Sequence, residues 1–369
     1  MKIAFLTSSR ADFGIYLPLL KAITNDGYFD ARLIVFGTHL SALHGNTIKN
    51  IQKEGFTIDH SIETVMNTDL PVSIAESMGV TIEKFSKIWQ QEESNYDIVF
   101  CLGDRYEMFA AVSASVPFGI SLAHIHGGET TLGAIDNKFR HCLTHFSSLH
   151  FVSTKEYANK VEQLSGSSKN IYDTGALSLD NIPAISLYNE DEMRKQFNID
   201  FSVPTLLVTY HPETAVEKGK QDSGENLVEA LKTFKDYQVV ITMPNADTYA
   251  SLIRTTLQNF AKEESRVTLI ENFGTKGYFS AMYLSKLIIG NSSSGIIEAA
   301  SFKKYVVNIG KRQEGRAISE NIINVSNQTA NIIKGIEKGL TNGEYEGKNL
   351  YYNGGAVNKI IEVLKTWKK

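Results

Sequence analysis

Four side chains able to take up or release protons, Asp104, His126, Glu129 and Asp136, follow one another closely in the first half of the chain, and a fifth, His211, stands before Pro212 in the second. A different chemistry is written into Leu287-Ile288-Ile289-Gly290-Asn291-Ser292-Ser293-Ser294-Gly295, where an apolar run ends at a glycine and small polar residues lead into a helical pattern. Such a strand, turn and helix leaves the first helical N–H groups unpaired, and they attract an anion. Ser292 and Ser293 add hydroxyl donors, Arg10 and Arg312 add cations suited to a diphosphate, and Glu298 is placed to accept from a sugar hydroxyl. Cleaving a sugar–diphosphate bond needs a stabilised leaving group, and taking a proton from the neighbouring carbon needs a carboxylate or imidazole of suitable pKa. Each residue also has a plain structural role open to it. Asp104 is a natural helix cap, Gly127 and Gly128 suit a turn, and Asp136 with Arg140 one helical turn on would make a surface pair worth under about 1 kcal/mol. Their shared location favours chemistry.

That location follows from the elements. Strand-like runs at 2–8, 31–36, 96–102, 119–123 and 149–152 alternate with helical patterns at 16–23, 72–89, 105–115 and 136–145, with Pro18 tolerable only near a helix start. This order predicts a doubly wound, mainly parallel α/β sheet. The pattern breaks at 179–187 and restarts with strands at 205–209, 238–242, 267–270, 286–289 and 305–309, separated by helices at 225–234, 248–260, 278–284 and 296–301. We therefore expect a first domain over 1–180, a second of the same Rossmann type over 181–355, and a last helix, 356–369, returning to the first. Ligands of open parallel sheets bind beyond the carboxyl ends of the strands. There lie Ser9-Arg10-Ala11-Asp12, Gly103-Asp104-Arg105, His124-Ile125-His126-Gly127-Gly128-Glu129, Tyr210-His211-Pro212-Glu213, Pro244-Asn245-Ala246-Asp247, Glu271-Asn272-Phe273-Gly274 and Gly310-Lys311-Arg312. Two domains facing each other across a cleft is the expected arrangement.

Composition narrows the partners. A net charge of −4 argues against a broad nucleic-acid surface. Cys101 and Cys142 give no disulfide framework or metal-ligand spacing and read as buried thiols. The apolar start is too short for a signal peptide and no run is long enough to span a bilayer, which suggests a cytoplasmic protein without a membrane partner. Neither a Gly-x-Gly-x-x-Gly fingerprint nor a Walker sequence is present, so redox and kinase chemistry are disfavoured and no cofactor or metal is expected.

Ser-Arg-Ala-Asp-Phe-Gly at 9–14, Gly-Asp-Arg at 103–105, His-Ile-His-Gly-Gly-Glu at 124–129, Ile-Asp-x-x-x-Arg-His at 135–141 and Gly-Asn-Ser-Ser-Ser-Gly at 290–295 resemble the hydrolysing UDP-N-acetylglucosamine 2-epimerases of sialic-acid-type pathways, over essentially the whole chain. The resemblance implies a GT-B-like pair of domains, a homodimer, and a nucleotide-sugar substrate from which UDP is eliminated to give a 2-acetamidoglucal. Water then adds, releasing free N-acetylmannosamine. It places Arg10, Arg105, His211, Asn245, Ser292, Ser293 and Arg312 on nucleotide or phosphates, Glu298 on the ribose, and the backbone near Phe273 on the uracil. Asp104, His126, Glu129 and Asp136, with His211 near the diphosphate, are the candidates for catalysis; part of the wider family carries Glu where His126 stands, so the base is either His126 or Glu129. A sister enzyme acting on a UDP-linked 2,4-diacetamido-2,4,6-trideoxy sugar of legionaminic-acid synthesis is the alternative. A GT-B glycosyltransferase or a non-catalytic nucleotide-sugar sensor fits the dense carboxylate and imidazole set less well.

Overall fold

The computed structural model describes residues 1–42, 45–64, 70–215, 222–244 and 248–368. The chain divides into two compact units, Met1–Glu129 with Ile135–Asn181 and Tyr351–Lys369, and Thr130–Ala134 with Ile182–Leu350. The first unit is thus interrupted at Thr130–Ala134. That short segment is tied into the second unit, where Leu132 N–H donates to Glu314 O (2.9 Å) and Ala215 N–H to Gly133 O (3.2 Å).

The first unit contains β1 (Lys2–Thr7), β2 (Asp30–Phe36), β3 (Ile58–Ile62), β4 (Ile98–Leu102), β5 (Leu122–Ile125), β6 (Leu149–Val152) and β7 (Ile171–Asp173), in the order β3-β2-β1-β4-β5-β6-β7. The second contains β8 (Thr205–Thr209), β9 (Gln238–Thr242), β10 (Val267–Ile270), β11 (Leu287–Gly290), β12 (Val306–Ile309) and β13 (Ile322–Val325), in the order β10-β9-β8-β11-β12-β13. Every pairing is parallel. The strand order reverses between β1 and β4 and between β8 and β11, the switch points at which such sheets open a crevice.

Both faces of each sheet are covered, which is why the central strands read as unbroken apolar runs. Ile3 and Phe5 pack with Leu19, Leu20, Ile360 and Leu364 in one cluster, while the alternate residues Ala4 and Leu6 pack with Phe85, Trp89 and Met108 in another. In the second unit Leu206 and Val208 face Leu257 and Ile336, and Leu207 faces Met193 and Phe279. Each fully buried Leu or Ile contributes about 1.5–3 kcal/mol. The helix Ala356–Thr366 buries Ile360 and Leu364 in the first unit, and Asp180 accepts from the N–H groups of Ala356 (3.1 Å) and Val357 (2.7 Å) at its start.

Several elements differ from the sequence expectation. The first helix runs from Arg10 to Asn25, so Pro18 sits in its interior rather than near its start. A proline there has no N–H for the carbonyl four residues back, and Asn181 Nδ2 donates to that carbonyl, Gly14 O, at 3.0 Å. The helix after β11 spans only Ser293–Ile297 and gives way to a 3-10 turn over Ala299–Phe302, in place of a helix over 296–301. The strands β3, β7 and β13, and the helices Lys155–Ser165 and Thr329–Asn342, were not expected. Cys101 is buried and Cys142 only half-buried.

Candidate active site

In the first unit the carboxyl edge of the sheet gathers an ionic cluster. Gly103 turns the chain out of β4 with φ +75°, and Asp104 follows it. Behind this turn His124 Nε2–H donates to Gly103 O (2.9 Å), since a carbonyl can only accept, and its Nδ1 faces Thr144 Oγ1 at 3.2 Å. Burial, reinforced by His150, Arg140 and His126 and opposed by the Gly103 bond, lowers the His124 pKa to about 3. The ring is therefore a neutral strut.

After β5 the chain passes His126, itself in the left-handed region at φ +64°, a conformation costly for a residue with a Cβ. Two glycines must follow. A Cβ on Gly127 would lie 2.9 Å from His124 Nδ1, and one on Gly128 would lie 2.7 Å from Tyr157 O. The turn delivers Glu129, 2% exposed, whose Oε1 meets His126 Nδ1 and the Ser153 hydroxyl, each at 2.7 Å. Arg140, on the helix Asp136–Phe146, donates to Asp104 and lies 3.5 Å from Glu129 Oε2. Arg140 thus serves two carboxylates beyond its own helix. Asp136 is half-buried in the first turn of the same helix.

Arg105 makes a two-pronged contact with buried Glu107, through Nε (3.1 Å) and Nη2 (2.9 Å). Arg10 opens the first helix, beside a cap built on Asp12. Asp12 is buried and accepts from the N–H groups of Ser8 (2.9 Å) and Ser9 (3.1 Å). Burial alone would raise its pKa; the His39 ring 3.8 Å away and hydrogen bonds from Thr7 and the Ser8 amide outweigh that and hold it below the usual carboxylate range.

The second unit builds its edge from neutral groups for the most part. Gly290 leaves β11 at φ +133°, with Thr209 O only 1.9 Å from where a Cβ would stand. Asn291, buried, staples the switch point: its Oδ1 accepts from His211 N–H (2.7 Å) and its Nδ2 donates to His211 O (2.9 Å). Its own carbonyl accepts from Arg312 Nη1 (3.2 Å) and Gln313 Nε2 (2.8 Å). Ser292 caps the short helix by accepting from Ser294 N–H (3.4 Å). Hydroxyls then run from Ser292 to Ser294 (3.0 Å), to Tyr278 (2.6 Å), to Thr209 (3.4 Å) and to Thr242 (2.6 Å). A helix of five residues has little macrodipole, so an anion here would be held by turn N–H groups, hydroxyls and Arg312. Ser293 opens this helix, and buried Glu298 ends it. Phe273 packs its ring into the core against Phe197 (4.8 Å between centroids), leaving its backbone at the carboxyl end of β10. Asn245 lies outside the described residues.

The structure therefore brings Asp104, His126 and Glu129 together, and joins His211 to the serine turn. Ser153, Asn291, Ser294 and Tyr278 were missed as site residues. Ser153 follows β6 at the same sheet edge and could have been found by position; Tyr278 comes from mid-helix, where no spacing signals it.

Two doubly wound parallel sheets, one carboxyl edge carrying an ionic cluster and the other a turn of amides and hydroxyls, define a two-unit α/β protein of GT-B-like fold. The chain belongs to the UDP-N-acetylglucosamine 2-epimerase family, whose model matches residues 21–365. It is 36% identical over 323 residues to the GDP/UDP-N,N'-diacetylbacillosamine 2-epimerase (hydrolyzing) of Campylobacter jejuni, covering 87% of this chain and 83% of that one. It is 32% identical over 373 residues to polysialic acid biosynthesis protein P7 of Escherichia coli, covering 100% and 94%. The Methanocaldococcus jannaschii UDP-GlcNAc 2-epimerase, solved in complex with UDP-GlcNAc and UDP, shares the fold with a TM-score of 0.82 at 19% identity, covering 100% of both chains.

Proposed function

We propose that the protein is a hydrolysing 2-epimerase of a UDP-linked 2-acetamido sugar. The observation that carries this reading is the cluster of buried Arg140, Glu129 and His126 with half-buried Asp104 at a carboxyl sheet edge, in a chain of this family. In the first step the C1–oxygen bond to the diphosphate breaks and UDP keeps the electron pair. The C2 proton passes to a base of the cluster, and a C1=C2 bond forms. In the second step water oxygen bonds to C1 and gives up one of its protons to a base of the cluster, while an acid of the cluster delivers a proton to C2 on the opposite face, giving the free 2-epimer. Asp104, His126, Glu129 and Asp136 are the candidates for the proton transfers, the base being His126 or Glu129. His211, Arg10, Arg105, Asn245, Ser292, Ser293 and Arg312 serve the nucleotide and phosphates, Glu298 the ribose, and the backbone at Phe273 the uracil.

For the sugar, 36% identity to a diacetylbacillosamine epimerase favours the 2,4-diacetamido-2,4,6-trideoxy substrate. UDP-N-acetylglucosamine, the sugar in the family's description, is the second reading. Incubating the protein with each UDP-sugar in D2O, and with the GDP-linked diacetamido sugar beside them, tests both levels. The expected products are free nucleoside diphosphate and the 2-epimeric sugar carrying deuterium at C2. Nucleotide release without deuterium at C2 would remove the epimerase reading. Asp104→Asn should lower turnover by about 10²–10⁴-fold while UDP affinity stays within a few fold; loss of UDP binding would make Asp104 structural.

A further inference from the structure

The contacts around His126 separate two residues that the sequence leaves equivalent. Glu129 Oε1 receives two short hydrogen bonds, from His126 Nδ1 and from Ser153 Oγ, each 2.7 Å, and its Oε2 faces Arg140 Nη1 at 3.5 Å. A carboxylate can only accept, so the proton of the first bond belongs to His126 Nδ1. The alternative, a protonated Glu129 donating to the ring, is opposed by Arg140, whose cation favours the charged carboxylate, and by Ser153, which already donates to the same oxygen. With Nδ1 carrying the proton, the lone pair of the neutral ring lies on Nε2. That atom is buried and has no hydrogen-bond partner among the described residues. A buried imidazole nitrogen without a partner is expensive, and here the chain also holds its residue in the left-handed region, φ +64°, to keep it there.

We propose that Glu129 is not the proton carrier but, together with Ser153, the pair that positions His126, fixing the Nδ1–H form and offering Nε2 as the atom that exchanges a proton with substrate. This assignment rests on the epimerase reading for its chemistry, and on geometry alone for the tautomer. Ser153 is a positioning residue without a previous role. Its hydroxyl, 1% exposed, sits just past the end of β6 and stops Glu129 Oε1 from turning away from the ring. His126 N–H donates to Phe151 O (3.0 Å), so the same strand fixes both the backbone of His126 and the carboxylate that orients its ring.

Two measurements on the full-length protein test this separately. Long-range ¹H–¹⁵N spectra of histidine-labelled protein, taken near pH 8 where a free imidazole is neutral (ordinary pKa about 6.5), report the tautomer without turnover. The expected His126 signal is the Nδ1–H form, turning into a tautomer mixture in Ser153→Ala. A ring in the Nε2–H form, or protonated on both nitrogens, would overturn the assignment. In kinetics on whichever UDP-sugar is turned over, Glu129→Gln should lower kcat by about 10–100-fold with KM within a few fold. Ser153→Ala should lower it less, and Ser153→Thr, which keeps the hydroxyl, should restore it. If Glu129→Gln fails to fold, the serine pair still decides: equal kcat for Ser153→Ala and wild type would overturn the positioning role. An Nδ1–H ring in a protein that epimerises neither sugar would leave the geometry standing and remove the epimerase reading instead.

Discussion

The two sheets share one order over six strands and carry different kinds of side chain at equivalent places. The loops after β1 and β4 in the first unit correspond to those after β8 and β11 in the second. In the first unit these loops and their neighbours carry Asp12, beside His39, and a network in which Arg140 joins Asp104 to Glu129 and Glu129 holds His126. In the second the corresponding contacts join amides and hydroxyls: Asn291 to His211, and Ser292 to Ser294, Tyr278, Thr209 and Thr242. Charged groups there include Arg312 on Asn291 O, Glu213 on Lys311 N–H, Asp222 on the Tyr210 hydroxyl and the exposed pair Arg254–Glu271. A proton carrier needs a group whose charge can change, and burying such groups demands counter-charges. A diphosphate needs donors and is repelled by carboxylates. One scaffold therefore yields a first edge expensive to disturb and a second edge cheap to disturb.

The largest expected effect is at Arg140. Removing the cation shared by Asp104 and buried Glu129 leaves uncompensated charge, and Arg140→Ala should destabilise the first unit by about 3–5 kcal/mol. Urea denaturation followed by tryptophan fluorescence measures this directly, because both tryptophans, Trp89 and Trp367, belong to the first unit. Adding Glu129→Gln to Arg140→Ala should recover part of the loss. A loss below about 1 kcal/mol, the range of an exposed pair, would remove the contrast between the edges.

The contrast was legible in the sequence where chemistry stands next to a strand. The runs that became β1, β4, β5, β8 and β11 are apolar because both their faces are covered, so their ends, and Asp104, His126, Glu129 and Ser292 beyond them, could be located by counting. Three of the four edge strands failed that test. β3 reads Ile-Asp-His-Ser-Ile, β7 has three half-buried residues, and β13 alternates buried and exposed positions, so none shows a continuous apolar signal. Residues arriving from helix faces were also hidden. Arg140 looked like the partner of Asp136 on its own helix and reaches across to Asp104 and Glu129; Tyr278 has no motif at all. Arg105, adjacent to Asp104 in sequence, turns to Glu107 instead of standing open beside it.

Acid should separate the units next. Of the nine histidines only His211 belongs to the second unit. In the first, burial lowers His124 to about 3 and His150 to about 4, while burial with Arg140, Lys160 and His145 lowers His141 to about 4. An unfolded histidine takes up its proton near pH 6.5, so between about 6.5 and 4 the unfolded chain binds more protons than the folded one. Stability of the first unit is then fully present above about pH 6.5 and falls as pH drops through that window, by on the order of 1.4 kcal/mol per pH unit for each fully buried ring. Tryptophan fluorescence should report unfolding at higher pH than far-UV circular dichroism, which follows both units. Coincident transitions, or the reverse order, would show that the buried imidazoles do not set the difference.

The smallest expected effect is at Tyr278, and it tests the neutral edge. Its hydroxyl joins Ser294 (2.6 Å) to Thr209 (3.4 Å), and burial, against the hydrogen bonds from those two groups, raises its pKa. It remains a neutral phenol at any working pH. Tyr278→Phe removes that link but strands no polar atom, because Ser294 keeps Ser292 (3.0 Å) and Thr209 keeps Thr242 (2.6 Å). The stability cost should therefore stay near a single hydrogen bond, about 0.5–1.5 kcal/mol, far below that of Arg140→Ala. The serine turn, freed on one side, should bind UDP more weakly by about 3–10-fold, the same energy read as affinity. Turnover at saturating substrate should be unchanged, since the proposed proton carriers all belong to the first unit. Calorimetric titration with UDP and steady-state kinetics separate the two quantities. A fall in kcat with UDP affinity unchanged would mean that the hydroxyl chain takes part in proton movement, and that the division of labour between the units is drawn in the wrong place.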